Sequence, residues 1–226
     1  ALNDSAHAKG PHSKGSLIHD YCREISVIGN LYAHNVDRNP YFKAFTTGAV
    51  VNNVIYNPGR WAVQMSYVPS EWEGTGITPE NGKLSIVNNI LIPGADSNER
   101  LMFVGPRGDA YIKGNRILDT PGSSQRLAGR GVVQLTEMPV WPKGFAPVPT
   151  DVLLESVVQG AGARPDRRDA IDRRIVDDLV ARKGRVIDSQ EDVGGYPELE
   201  PTYRALDVPE DVDAWLDRLA ADVEGR

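Results

Sequence analysis

The chain has 226 residues, 40% hydrophobic and 25% charged, and 25 basic against 31 acidic side chains give a formal charge of −6. This is a globular composition, long enough for one sizeable core or a core with an appendage. No run approaches the ~18 apolar residues of a spanning helix, and the acidic balance makes any basic cluster a local device, so neither a membrane nor a nucleic acid is an expected partner.

The first segment, His12 to Lys43, concentrates cations in this acidic chain: Lys14, then Arg38, Pro40 and Lys43 as RxPxxK. Arg38 follows Lys14 by 24 positions. Short β-branched runs then recur, each broken by Asn-Asn or Gly-Asn: "ISVIGNLYAHN" from Ile25, "GAVVNNVIYNPG" from Gly48, "KLSIVNNILIPG" from Lys83 and "DAYIKGNRILDTPG" from Asp109. The second members, Asn30, Asn53, Asn89 and Asn115, lie at intervals of 23, 36 and 26 residues, and the longest interval holds the insertion "SYVPSEWEGTGITPENG".

Such a period, with Asn at a recurrent turn, predicts coils that stack strand on strand. Asn side chains bond along the stack and tolerate a left-handed turn. The expected fold class is therefore all-β, a right-handed parallel β-helix over residues 1–125 with Val51, Ile86 and Ile112 stacked inward. The remainder, 126–226, is expected as a strap and helices packed on the solenoid. "PVWPKGFAPVPT" reads as the strap. Ile171, Ile175, Val176 and Leu179 predict one amphipathic helix, and Val212, Leu216, Leu219 and Val223 a second.

Two motifs resemble the pectate lyases and related polysaccharide lyases of the parallel β-helix fold. "HSKGSLI" resembles the segment carrying their substrate-contacting lysine, which falls on Lys14, and "NLYAHNVDRNPYFK" resembles their strand with RxPxxR. "GAVVNNVIYN" is similar to the rung that follows, and "GARPDRRDAIDRRIVDDLVARKGRVIDSQEDVGGYP" to the closing segment of bacterial members. The resemblance implies a secreted enzyme that cleaves an acidic polysaccharide by β-elimination. It makes Arg38 the proton-abstracting base, puts Lys14 and Lys43 on the substrate with His12 beside them, and implies calcium as cofactor. Lys43 stands where the family has arginine. The family's calcium carboxylates precede the lysine segment, so they are expected upstream of Ala1, in a missing N-terminal part of the solenoid of which this chain is a fragment.

The chemistry is consistent with those residue types. The C5 proton of a uronate is acidic because the adjacent carboxylate accepts charge as an enediolate, and clustered cations stabilise that charge. An arginine is an awkward base, its ordinary pKa lying above ~12, and the role comes from the resemblance. His7, His12, His19 and His34 show no HxH or HExxH spacing, and Cys22 is the single cysteine, so neither a histidine metal site nor an internal disulfide is expected. Trp61 and Trp72 either stack on a sugar ring or pack the core and loops. Two alternatives stand beside the lyase. A glycoside hydrolase on the same coil needs two flanking carboxylates, and the nearest acids, Asp20 and Asp37, are 17 residues apart. A noncatalytic β-helix would bind acidic carbohydrate with the same cations.

Overall fold

A computed structural model describes residues 2–4, 7–8, 10–118, 126–198, 205 and 207–224. The strands are short and β-branched, as runs bounded by Asn and Gly require. In chain order they are β1 (Leu17–Ile18), β2 (Ile25–Ile28), β3 (Leu31–Ala33), β4 (Tyr41–Phe42), β5 (Thr47–Val51), β6 (Val54–Tyr56), β7 (Trp61–Met65), β8 (Lys83–Val87), β9 (Ile90–Ile92), β10 (Met102–Lys113), β11 (Arg116–Ile117), β12 (Arg126–Ala128) and β13 (Gly131–Gln134). Three α-helices follow: α1 (Thr150–Gly160), α2 (Ala170–Ala181) and α3 (Val212–Glu224). The chain divides into two compact units, Ala1–Tyr196 and Pro197–Arg226.

Every strand pair described is parallel. One sheet of nine strands runs β1-β4-β7-β10-β8-β5-β2, with β12 and β13 also on β10, and a second runs β11-β9-β6-β3. Strand β10 joins two ladders, its first half pairing with β7 and its second with β8. Between them Gly108 has φ 154°, and a Cβ there would run into the Met65 side chain.

The turn between the β2-β5-β8-β10 ladder and the second sheet repeats in four layers. Gly29, Asn52, Asn88 and Gly114 take the left-handed conformation there, φ 50–70°. The next residue is always Asn. Asn30, Asn53 and Asn89 each donate backbone N–H and side-chain Nδ2 to the Oδ1 of the following Asn, 53, 89 and 115, at 2.8–3.0 Å. Each Asn-Asn or Gly-Asn pair therefore divides its work, the first residue making the turn and the second the column.

The expected fold class is corrected by the helices and sheets together. The chain is mixed α/β: parallel-strand sheets forming a half-barrel plus three helices, rather than an all-β right-handed β-helix solenoid. Helix α1, where the sequence pattern predicts none, buries Leu153 and Val157 against Val54, Tyr56, Ile90 and Ile92 of the second sheet, and Leu179 of α2 joins the same cluster. Three of its eleven residues are Val, which lowers helix propensity, so packing of one apolar face outweighs local preference. Strand pairing also runs past residue 125, through β12 and β13.

One register expectation is off by a residue. Ile86 pairs with Ile112 as expected, but its other neighbour is Val50, while Val51 pairs with Val87. Val50 belongs to the main core with Phe42, Ile55, Leu84 and Ile86. Val51 points to the opposite face with Ala49 and Val87, under Trp141 and Phe145. Side chains alternate along a strand, so a one-residue slip exchanges the faces. The proline-rich strap covers that second face, accepting Ser85 Oγ at Val140 O and exchanging two 2.7 Å bonds between the Asn52 side chain and the Val148 backbone.

Helix α2 carries the predicted apolar stripe with Val176 and Leu179 buried, is capped by Asp169 and ends at Arg182 in the left-handed conformation. Helix α3 of the second unit forms where the pattern predicts it; Val212, Leu216, Leu219 and Val223 are exposed.

Candidate functional site

Residues 13–16 run alongside residues 36–41. Lys14 forms a parallel bridge with Asp37, Gly15 N–H donates to Asp37 O, Ser16 N–H donates to Arg38 O, and Tyr41 N–H donates back to Ser16 O. A Cβ on Gly15 would collide with Arg38 O, so glycine is required for this close approach. Lys14 is thereby set beside Asp37, whose Oδ2 its Nζ meets at 2.9 Å, with Arg38 the next residue. Arg38 follows Lys14 by 24 positions, and the bridge falls one residue earlier, on Asp37.

Arg38 has φ 66°, an unfavourable left-handed backbone for a long side chain. Its guanidinium carbon lies 5.8 Å from the centroid of the Tyr41 ring, and among the described residues it has no carboxylate partner. The peptide bond between Asn39 and Pro40 is cis.

Lys43 is in a different state from the exposed cation that the motif suggests. It is 4% exposed. Its Nζ sits between Asp20 Oδ2 at 2.8 Å and Glu71 Oε2 at 2.5 Å, with His19 Nε2 at 3.5 Å. Burial pushes the Lys43 pKa down, but the bonds to Asp20 and Glu71 outweigh it and the net direction is upward. Asp20 also accepts the Ala44 N–H at 2.8 Å and lies 3.1 Å from His19 Nδ1.

Arg38 and Lys43 both act on the Tyr41 phenol. Burial, the largest influence, raises its pKa; Lys43 and Arg38 pull it down, and Glu71 and Asp20 push it up. The His12 ring stacks on that of His7 with centroids 3.8 Å apart. His34 is elsewhere, buried with Nδ1 2.9 Å from Asn57 Nδ2 and Nε2 3.6 Å from Asp178.

The residues that sequence reasoning missed are the partners. Tyr41 was hidden inside the RxPxxK motif, Asp20 precedes Ala44 by one 24-residue layer, and Glu71 lies in the insertion. Only the layer interval could have pointed to Asp20. The hydrolase alternative weighs Asp20 against Asp37, whereas the acids brought together are Asp20 and Glu71, on the single Lys43 ammonium.

Cation–aromatic pairs continue along the sheet. Arg60, at the entrance to β7, lies 5.3 Å from the Trp61 ring centroid, and Arg107 of β10 lies 4.9 Å from that of Tyr67. Strands β4, β7 and β10 are successive neighbours, so arginine–ring pairs accompany three adjacent strands.

Calcium needs six to eight oxygen ligands. Among the described residues no three His, Cys, Asp or Glu side chains gather to hold a metal, and Asp20, Asp37 and Glu71 each face a lysine ammonium. These residues do not fit the implied ion. A cavity of about 350 Å³, bordered by Asn30, Leu31, Asp172, Ile175 and Val176, contains none of the candidate cations. Compared with known proteins, the chain matches no family model and no curated protein.

Proposed function

We propose that the chain acts on a uronate polymer and, with any further ligands its reaction needs, cleaves it by β-elimination. The observation that carries this reading is Arg38, a guanidinium with no carboxylate partner among the described residues, held beside the Lys14–Asp37 pair and against Tyr41. In the proposed step Arg38 first gives a guanidinium proton to solvent and then, as the neutral guanidine, takes the C5 proton of a uronate residue. The C–H electron pair becomes the C4=C5 double bond, the C4–O4 bond breaks, and the departing oxygen takes a proton from solvent. Cations near the substrate carboxylate stabilise charge developing on it. The arginine–ring pairs at Arg60 and Arg107 support a ligand that is an extended polyanion rather than one sugar.

A binding role without chemistry is the second reading. It is favoured by the neutralisation of Lys14 and Lys43 by Asp37, Asp20 and Glu71.

The test is the ultraviolet absorbance of unsaturated product from polygalacturonate, with calcium supplied. The expected result is a rise that Arg38→Lys abolishes while polymer binding is retained, because the charge stays and the base is altered. Binding without any rise would leave the second reading. Reducing-sugar release without unsaturated product would overturn β-elimination in favour of hydrolysis, with Asp20 and Glu71 as the acids to substitute first.

A further inference from the structure

The insertion between β7 and β8 lies across Lys43. It leaves the sheet after Ser66, whose N–H donates to Phe42 O, and returns where Glu80 O accepts from Phe45 N–H. Between these anchors, among the described residues, the hydrogen bonds of residues 68–79 stay within the segment, at Glu71, Trp72, Thr75 and Ile77, with one exception. The exception is Lys43 Nζ to Glu71 Oε2.

Lys43 has two unlike acid partners. Asp20 is only 11% exposed and fixed by the Ala44 N–H; the Glu71 side chain is 44% exposed and belongs to the insertion. Beside Glu71, Trp72 stands edge-on to two rings, with centroids 5.9 Å from Tyr21 and 5.4 Å from Phe45. Tyr21 and Phe45 stack in parallel at 4.6 Å.

Both stacked residues have positive φ, 65° and 59°, where Gly or Asn is the unstrained choice. Two large aromatics at such positions mean that the rings, and not the turn, decide the residue type. Tyr21 nevertheless remains 48% exposed. Among the described residues the buried Trp72 indole N–H finds no acceptor, a deficit that opening of the insertion to water would relieve.

A cation next to a flat apolar ring is what one uronate residue needs: a partner for its carboxylate and a surface for the C–H face of its pyranose. Glu71 and Trp72 offer this same pair of groups from within the chain. We propose that Glu71 and Trp72 occupy a uronate subsite formed by Lys43 and the Tyr21–Phe45 stack, and that a polymer residue displaces them, its carboxylate replacing Glu71 on Lys43. The inference rests on the uronate part of the reading above and is independent of the elimination chemistry.

Isothermal titration of the chain with trigalacturonate and with its methyl ester tests it. Glu71→Gln keeps the Asp20 partner of Lys43 and removes the competing charge, so it should bind the acid about five-fold or more tighter than wild type, with no comparable gain for the ester. Tyr21→Asn, which suits the backbone and removes the ring, should bind the acid about ten-fold more weakly. Equal affinity of Glu71→Gln and wild type, an equal gain for the ester, or no effect of Tyr21→Asn would each overturn the subsite. The absorbance assay separates the two ideas. Tighter acid binding by Glu71→Gln without unsaturated product keeps the subsite and removes the lyase; unsaturated product with equal affinities does the reverse.

Discussion

His34 shows how a single polar side chain can be committed by its surroundings. It is 5% exposed, its Nδ1 faces the Asn57 amide, which also donates to Asp96 at 2.7 Å, and its Nε2 faces Asp178 without forming a hydrogen bond. Asn57 Oδ1 accepts the Asp96 N–H, which orients the amide so that Nδ2 is the donor and His34 Nδ1 the acceptor. Burial, the largest influence, depresses the His34 pKa; Asp178 and Asp96 oppose it, while Arg174 adds to it. The unfolded chain then binds more protons than the folded one below the ordinary histidine value of ~6.5, so stability is full above that value and falls as pH drops toward the depressed one. The His34 imidazole is expected to titrate below ~6.5 by NMR, with a urea midpoint that declines across the same interval. Titration of His34 above ~6.5 would contradict this. The same lesson applies to Lys43, whose charge was legible in RxPxxK and whose neutralisation was not: its two acids are separated from it by 23 and 28 residues and meet it only through stacking and a folded insertion.

Among the elements, the Asn column is the most legible from the sequence and the most demanding in the structure. Asn89 is fully buried; its side chain donates to Val50 O, Val87 O and Asn115 Oδ1 and accepts from the backbone and side chain of Asn53. Asn30 ends the column, is exposed, and receives no bond from a preceding Asn. Asn89→Ala leaves several buried groups without partners, at about 1–3 kcal/mol each, so an overall loss of about 3 kcal/mol is expected in urea unfolding. Asn30→Ala should cost less than about 1 kcal/mol, because water replaces what is lost. Equal costs at the two positions would show that the column is not cooperative. Helix α1 is the opposite case, since its pattern TDVLLESVVQG is short and β-branched, and only the exposed apolar face of the second sheet makes a helix the better way to bury Leu153 and Val157.

At the scale of the molecule, the thirteen strands among the described residues, α1 and α2 lie in the first compact unit, and so does every residue of the candidate site. A chain ending at Tyr196 is expected to unfold cooperatively, with urea stability within about 1 kcal/mol of the full chain, since the described members of the three buried clusters all lie within residues 1–196. Loss of the cooperative transition would show that the first unit needs the second.

The sequence by itself determined the layer intervals, the Asn column, α2 and α3, because each is a local or strictly periodic pattern whose physical meaning does not depend on distant residues. The 24-residue interval pointed from Lys14 to Arg38, one residue beyond the Asp37 that Lys14 bridges. Tertiary structure alone decided that Val50 and not Val51 faces the main core, that residues 150–160 form a helix, and that the strands belong to a mixed α/β chain. It alone brought Asp20 and Glu71 to Lys43 and Trp72 to the Tyr21–Phe45 stack. Those outcomes follow from which face is buried and which charges meet in low dielectric, and both depend on the register between layers and the path of an insertion, quantities that no residue-by-residue pattern encodes.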